Sequence, residues 1–348
     1  MHGKCGLFFV SYRQEAAIFQ SGFQRICLGA FLAVLLVCPL VLGSYLVSVL
    51  NLIAIAAIGA VSLNLLTGVC GQISLGHGAF LGVGAYAAAL STIHGVPFPA
   101  ALVLGGLAAA LVGMVFGVPS LRLKGIYLAI ATLAAQLILE YVFLHWEGVT
   151  GGSRGLAVNA PRIFGFAFDS EAKMFYLLLA VDVLALLAVS NILRTKHGRA
   201  FVSIRDFYLS AEIAGVNLFG YKLAAFGTSS FLAGVAGGLW AHYTMFISAE
   251  QFNLGLSISY LAMIIIGGLG SVSGSVMGAA FMTTLPEVLN EATRVLSGVF
   301  PDISAQFVAL REGVFGMVLV LFLIFEPEGL VHRWRLIKAY WKLYPFAH

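Results

Sequence analysis

"LLTGVCGQISLGHGAF", residues 65–80, interrupts a chain that is otherwise almost continuously apolar. Thr67, Gln72, Ser74 and His77, with four glycines between and beside them, stand where a spanning helix would carry leucine and valine. A backbone N–H or C=O left unpaired in hydrocarbon costs several kcal/mol, so irregular backbone survives there only against protein or a water-filled cavity. Two readings satisfy that demand. The stretch is either a broken helix beside a path for a polar solute, or a glycine-rich turn joined to close helix packing through Gly78 and Gly82.

The surroundings place the stretch in a membrane. Of 348 residues, 60% are hydrophobic and 10% are charged, with a mean hydropathy of +0.99. A soluble domain carries about 25% charged residues, so most of this surface faces lipid. Apolar runs of this length exclude a transmembrane barrel, whose strands alternate polar and apolar residues. The expected class is an all-α polytopic membrane protein. Forty glycines suit close helix packing and interrupted helices. Cys5, Cys27, Cys38 and Cys70 form no CxxC pair and read as small apolar fillers. Val37 precedes Cys38, so 26–43 reads as a retained first helix rather than a cleaved signal.

Working outward from the opening stretch, apolar windows predict spans near 26–43, 46–66, 78–94, 100–118, 126–144, 174–193, 223–246 and 313–326. Fourteen of the nineteen basic residues lie in the N-terminal segment, the loops at 119–125 and 194–222, and the tail, which puts those regions in the cytoplasm. Residues 286–312 and 145–173 read as external loops, and both termini as cytoplasmic. Parity then requires the apolar stretch 257–285 to cross twice or not at all. A pair of short helices meeting at "GGLGSVSGS" (267–275) meets the requirement, giving about ten segments with one glycine-rich interruption in each half. The whole of 1–348 is one transmembrane domain, with a cytoplasmic N-terminal segment (1–25), an external loop (145–173), a cytoplasmic loop (194–222) and a cytoplasmic tail (327–348).

"NLLTGVCGQISLGHGAFLGVGAYAAAL" (64–90) closely resembles the signature of the branched-chain amino-acid ABC importer permeases, the LivH/LivM family. In order follow "GVTGGSRGL" (148–156), "GRAFVSIRD" (198–206), "AEIAGVNLFGYKLAAF" (211–226), "FLAGVAGGLWA" (231–241), "IIGGLGSVSGSVMGA" (265–279) and "EGVFGMVLVLFLIFEPEGL" (312–330). The external segment and the "REGVFG" ending are similar to the LivM branch. The resemblance implies a permease subunit in a bacterial inner membrane that imports branched-chain amino acids or a related small polar or carboxylate solute. Urea, amides and aromatic carboxylates remain alternatives. Implied partners are a LivH-like second permease, two cytosolic ABC ATPases and a periplasmic or extracellular substrate-binding protein. No nucleic acid is expected.

Within 194–222, Arg205, Asp206, Glu212 and Gly215 are the candidates for ATPase coupling, because the resemblance centres its docking motif on Glu212 and Gly215. A short amphipathic helix around Asp206–Ala214 would act as the lever, although Phe207, Tyr208 and Ser210 depart from the family run. No phosphate loop is present: "GVNLFGYKL" (215–223) places Lys222 one position late, with no Ser or Thr after it. ATP and Mg are therefore expected on partner chains, with no cofactor and no catalytic role here.

The candidate substrate path takes Gly71, Gln72, Ser74 and His77 from the first interruption and Gly267, Gly268, Gly270 and Ser271 from the second. An external entrance is assigned to Gly151, Gly152, Ser153 and Arg154, where Arg154 replaces the family's usual Asp or Asn and either favours an anionic solute or pairs with Glu147. Asp182, near the middle of its span, reads either as a coupling acid or as a buried structural one. No metal-ligand spacing or catalytic constellation is seen. A secondary transporter driven by an ion gradient, with Asp182 as its acid, and a non-transporting scaffold are the competing classes.

Overall fold

A computed structural model describes residues 22–119, 125–163, 165–299, 304–326 and 328–343, and they are mostly helical. In chain order the helices are α1 (Gly22–Val41), α2 (Ser44–Asn64), α3 (His77–Ile93), α4 (Phe98–Gly117) and α5 (Ile126–His145). They continue with α6 (Glu171–Arg194), α7 (Lys196–Ile213), α8 (Leu218–Thr244), α9 (Leu254–Gly267), α10 (Val272–Val299), α11 (Ser304–Phe325) and α12 (Leu330–Leu343). Among the described residues, five helical stretches are long and apolar enough to cross a bilayer: 44–69, α4, α5, α6 and α8. Shorter apolar helical stretches at 25–41, 77–93, 254–267 and 313–322 accompany them. The protein is polytopic and α-helical.

Glycine sets the packing. Helix α8 packs against α3 and α4, the most extensive helix contacts among the described residues. A Cβ on Gly234 would stand 2.8 Å from the Gly105 carbonyl oxygen, and one on Gly105 would stand 2.7 Å from that of Gly84. Three backbones meet where lipid gives no hydrophobic reason for helices to associate, so contact area and small residues carry the association. Gly238 abuts Ala88, and Gly82 is closed over by Phe143 and Phe252, so these glycines are packing positions. Helix α2, buried over most of its length, is wrapped by α6, α8, α9 and α10.

At the end opposite α7, β1 (Leu156–Ala157) pairs antiparallel with β4 (Phe246–Ile247), and β2 (Arg162–Ile163) with β3 (Phe166–Ala167). The first pair ties segment 145–173 to the end of α8, whose chain turns at Met245 in a left-handed conformation (φ 55°).

Two expectations are corrected. The stretch 257–285 does not hold a pair of short helices: two helices do meet at 268–271, but α9 has 14 residues and α10 has 28. At 1.5 Å per residue, α9 is about 21 Å long, short of a hydrocarbon core about 30 Å thick. Nor are residues 286–312 a loop, because α10 continues through Pro286 to Val299 and α11 begins at Ser304. Hydropathy marks only the apolar part, whereas "EVLNEATRVL" is rich in good helix formers and carries a Glu291–Arg294 pair at 3.0 Å (i, i+3). Lys4, Arg13, Arg122 and Lys124, used to argue orientation, lie outside the described residues.

Candidate functional site: two broken helices and a kinked lever

Helix α2 does not end cleanly. Its last turn widens into a π-turn, Leu65–Val69, with Cys70 N–H donating to the Leu65 carbonyl at 3.2 Å and Gln72 N–H to that of Leu66 at 3.0 Å. Gly71 (φ 73°) reverses the chain, which then runs without helix to His77. The second interruption is tighter. Gly268 (φ 115°) and Gly270 (φ 77°) take backbone angles costly for other residues, and Ser271 Oγ then accepts from Gly274 N–H at 3.3 Å to start α10.

The two interruptions touch. Asn64, buried in the last turn of α2, donates from Nδ2 to the Ser271 carbonyl at 2.8 Å and to Ser275 Oγ at 2.7 Å. Its Oδ1 accepts from Gly270 N–H at 2.8 Å. One amide side chain thus bridges both breaks.

Arg205 of α7 reaches the same seam. Its Nη1 donates to the Gly68 carbonyl at 2.8 Å and its Nε to Asp206 Oδ1 at 2.9 Å. A Cβ on Gly71 would lie 2.8 Å from Arg205 Cγ, and one on Gly270 would lie 3.1 Å from Arg205 Nη1, so only glycine leaves room for the guanidinium. Directly after Asp206, α7 breaks at Phe207 (φ −151°, ψ 85°), and its second part runs to Gly215 (φ 84°). Phe207 and Ile213, 75% and 89% exposed, present apolar surface away from the bundle. Beside them Tyr208, Glu212, Asn217 and Lys222 line a cleft of about 450 Å³.

The start of α3 sits deeper and is enclosed by polar side chains. Its free N–H groups are met by Ser257 Oγ (from Gly78, 2.7 Å) and Gln136 Oε1 (from Ala79, 2.8 Å). Thr132 Oγ1 accepts from Leu75 N–H at 2.9 Å, and Ser74 Oγ from Gly76 N–H at 3.3 Å. Gln136 also donates to the Phe252 carbonyl at 2.6 Å. His77 Nε2 lies 2.9 Å from the Gly59 carbonyl and 3.1 Å from Ser62 Oγ, with its ring edge-on to Tyr260. Gln72 is buried too, its Nε2 3.1 Å from Cys70 Sγ.

Of the predicted path residues, Gly270 and Ser271 meet the first break through Asn64, Gly71 packs on Arg205 beside them, Gly267 packs on Gly274 and Gly268 on Gly329, and Gln72, Ser74 and His77 are held in protein hydrogen bonds. Arg205 and Asp206 join that seam; Glu212 faces the cleft and Gly215 ends the second part of α7. The other predicted groups lie apart. Gly151 (φ 73°), Gly152 (φ 56°) and Gly155 (φ 68°) shape the turn assigned above as an entrance, where Ser153 and Arg154 are exposed. Among the described residues, Arg154 makes no ion pair with Glu147. Asp182 is buried on α6, and its Oδ1 has no hydrogen-bond partner among the described residues. Among the described residues, no group of three His, Cys, Asp or Glu is placed to hold a metal.

Asn64, Thr132, Gln136 and Ser257 were not anticipated. Their signal was present as single polar side chains in apolar spans, with Thr132 and Gln136 four apart on one face.

Residues 45–323 match the family described as "Branched-chain amino acid transport system / permease component". The chain is 30% identical over 333 residues to the high-affinity branched-chain amino acid transport system permease protein LivM of Escherichia coli (strain K12), covering 88% of this chain and 75% of that protein. It is 24% identical to the probable branched-chain amino acid transport permease protein LivM of Methanocaldococcus jannaschii, covering 66% and 67%. It is 27% identical to the autoinducer 2 import system permease protein LsrC of Enterobacter sp. (strain 638), covering 63% and 64%. No solved structure matches.

Proposed function

The chain belongs to the branched-chain amino acid transport permease family, and on that premise we propose that it is the LivM-type subunit of an ATP-driven importer in a bacterial inner membrane. Its cargo is a branched-chain amino acid or a closely related small polar or carboxylate solute. It works beside a LivH-like permease, two cytosolic ATPases that carry ATP and Mg, and an external substrate-binding protein. The chain crosses about ten times with both termini in the cytoplasm, and hydrolyses nothing itself.

One observation carries the mechanism: Arg205, on the helix that exposes Phe207 and Ile213, hydrogen-bonds the Gly68 carbonyl and packs against Gly270. Movement of α7 under an ATPase therefore pulls on both breaks at once. The kink at Phe207 divides the lever into a part that docks and a part that grips. Closure and opening of the ATPases then shift the population between two arrangements of the breaks.

The test is ATP hydrolysis and solute uptake by the reconstituted complex, with and without loaded binding protein. Arg205→Gln should lower stimulation at least about tenfold, in line with loss of a charge-assisted hydrogen bond worth about 1.5–3 kcal/mol, and Glu212→Ala, which removes an acid from the cleft beside the exposed half of α7, should lower it as well. Unchanged stimulation in Arg205→Gln would sink the lever reading.

A second reading, ion-gradient coupling through Asp182, draws support from its buried and unpartnered Oδ1. It predicts uptake that collapses with the proton or sodium gradient and needs no ATPase.

A further inference from the structure

Helix α12 follows α11 after a turn at Gly329 (φ 78°). Its sequence, "LVHRWRLIKAYWKL", contains no acidic residue. The first turn is seated on the second break. A Cβ on Gly329 would stand 2.7 Å from Gly268 N, and Val331 is buried there. From Arg333 to Tyr340 every side chain is exposed.

That exposed length is patterned. Leu330, Trp334 and Ile337 are spaced i, i+4 and i+7 and share one helix face. Arg335 and Lys338, spaced i and i+3, share the neighbouring face. Trp334 and Ile337, 60% and 52% exposed, would face water if the helix simply projected from the bundle. At the end of α11, Ile324 and Phe325 are exposed as well, so an apolar surface that belongs in lipid continues up to the start of α12. Two acids in the linking turn are already taken, Glu326 by Arg333 and Glu328 by His332. That leaves the distal basic residues with no acid on their own helix.

We propose that α12 lies in the membrane interface and is a binding surface for anionic phospholipid headgroups, its Trp334/Ile337 face in the acyl boundary and Arg335 and Lys338 on the phosphates. A basic stripe beside an aromatic one, directly after a spanning helix, matches what an anionic leaflet offers in both charge and depth. A water-exposed helix explains neither stripe. An acidic protein partner accounts for the basic stripe alone.

The whole transporter, permease with its partner subunits, is placed in nanodiscs of phosphatidylcholine with either none or about one-third phosphatidylglycerol. A spin label is carried at Ile337→Cys in a background whose four native cysteines are replaced. The label should be open to oxygen and shielded from a water-soluble nickel complex, with shielding that rises with phosphatidylglycerol. Raising salt from about 0.05 to about 0.5 M should cut that rise, because the Debye length contracts from more than 10 Å to less than 8 Å. Each basic side chain near such a surface is worth about fivefold in binding, so Arg335→Gln/Lys338→Gln together should weaken it about twenty-five-fold and abolish the lipid-dependent rise. A label open to nickel in both lipids overturns the proposal. So does shielding equal in the two lipids at every salt concentration, or shielding that appears only when the partner subunits are present. The lipid and salt titrations need only the labelled transporter, so they decide the matter even if the double variant fails to assemble.

Discussion

Replacing Asn64 with alanine tests whether the two breaks are held together by one side chain. The amide makes three hydrogen bonds across the seam, at 2.8, 2.7 and 2.8 Å, two donated and one accepted. A net hydrogen bond contributes about 1 kcal/mol in folded proteins, and about 0.6 kcal/mol on average between membrane helices. Three bonds therefore amount to about 2–3 kcal/mol. Ser275 Oγ retains the Ser271 carbonyl as a partner at 3.2 Å, but the Gly270 N–H is left without an acceptor, which adds about 1 kcal/mol or more. The expected loss is about 3 kcal/mol, close to a hundredfold in the equilibrium that separates the breaks. Unfolding by sodium dodecyl sulfate in mixed micelles reads this quantity directly. Asn64→Leu, similar in volume but without the amide, separates lost bonds from a lost packing volume and should be at least as damaging as Asn64→Ala. The reasoning fails if Asn64→Ala costs under about 0.5 kcal/mol, or if Asn64→Leu restores most of the loss.

Gln136→Leu should cost about 2–4 kcal/mol in the same titration, because the Ala79 N–H, the Ser257 hydroxyl and the Phe252 carbonyl each lose the partner the amide supplied. Gly234→Val forces side-chain atoms into α4, where Ala109 Cβ and the Gly105 carbonyl leave no room, so folded yield from the membrane should fall by more than half as overpacking costs about 1–3 kcal/mol or more. Asp182→Asn removes the buried acid without changing its shape, and ATP-driven uptake should stay within about twofold of wild type. A tenfold loss there, with normal insertion, would favour the ion-coupled reading.

The spans were legible because lipid imposes a simple demand, and a run such as 126–144 differs from α5 by one residue at its end. The interruptions were legible for the complementary reason, since glycine and polar residues have no place in such a run unless the backbone is doing something other than crossing. The polar continuation of α10 escaped because hydropathy is blind to an amphipathic helix. Residues such as Glu287, Glu291 and Arg294 look like loop until the apolar residues between them are given helical spacing. Asn64 escaped for another reason. An isolated amide in an apolar helix announces that it needs a partner but does not name one, and its partners lie 206 to 211 positions away. Arg205 was picked out as a coupling residue on family resemblance, yet its contact with Gly68, 137 positions distant, needed three dimensions to appear.

The enclosed start of α3 bears on how the chain is made. Its N–H groups are satisfied by Thr132 and Gln136, 57 positions later, and by Ser257, 179 positions later. At a synthesis rate of roughly 5–20 residues per second, Ser257 is polymerised about 10–35 s after Gly78. The segment from Gly71 to Ala79 gains its α5 partners after about 3–11 s but lacks its α9 partner throughout that interval. It must wait at the water-facing edge of the bilayer, or in the keeping of the insertion machinery, while the helices that will receive it are still being translated. The same polar side chains that close the native seam thus set a deadline during biogenesis, and a ribosome stall just before residue 257 would leave most of this membrane protein made with its centre unfinished.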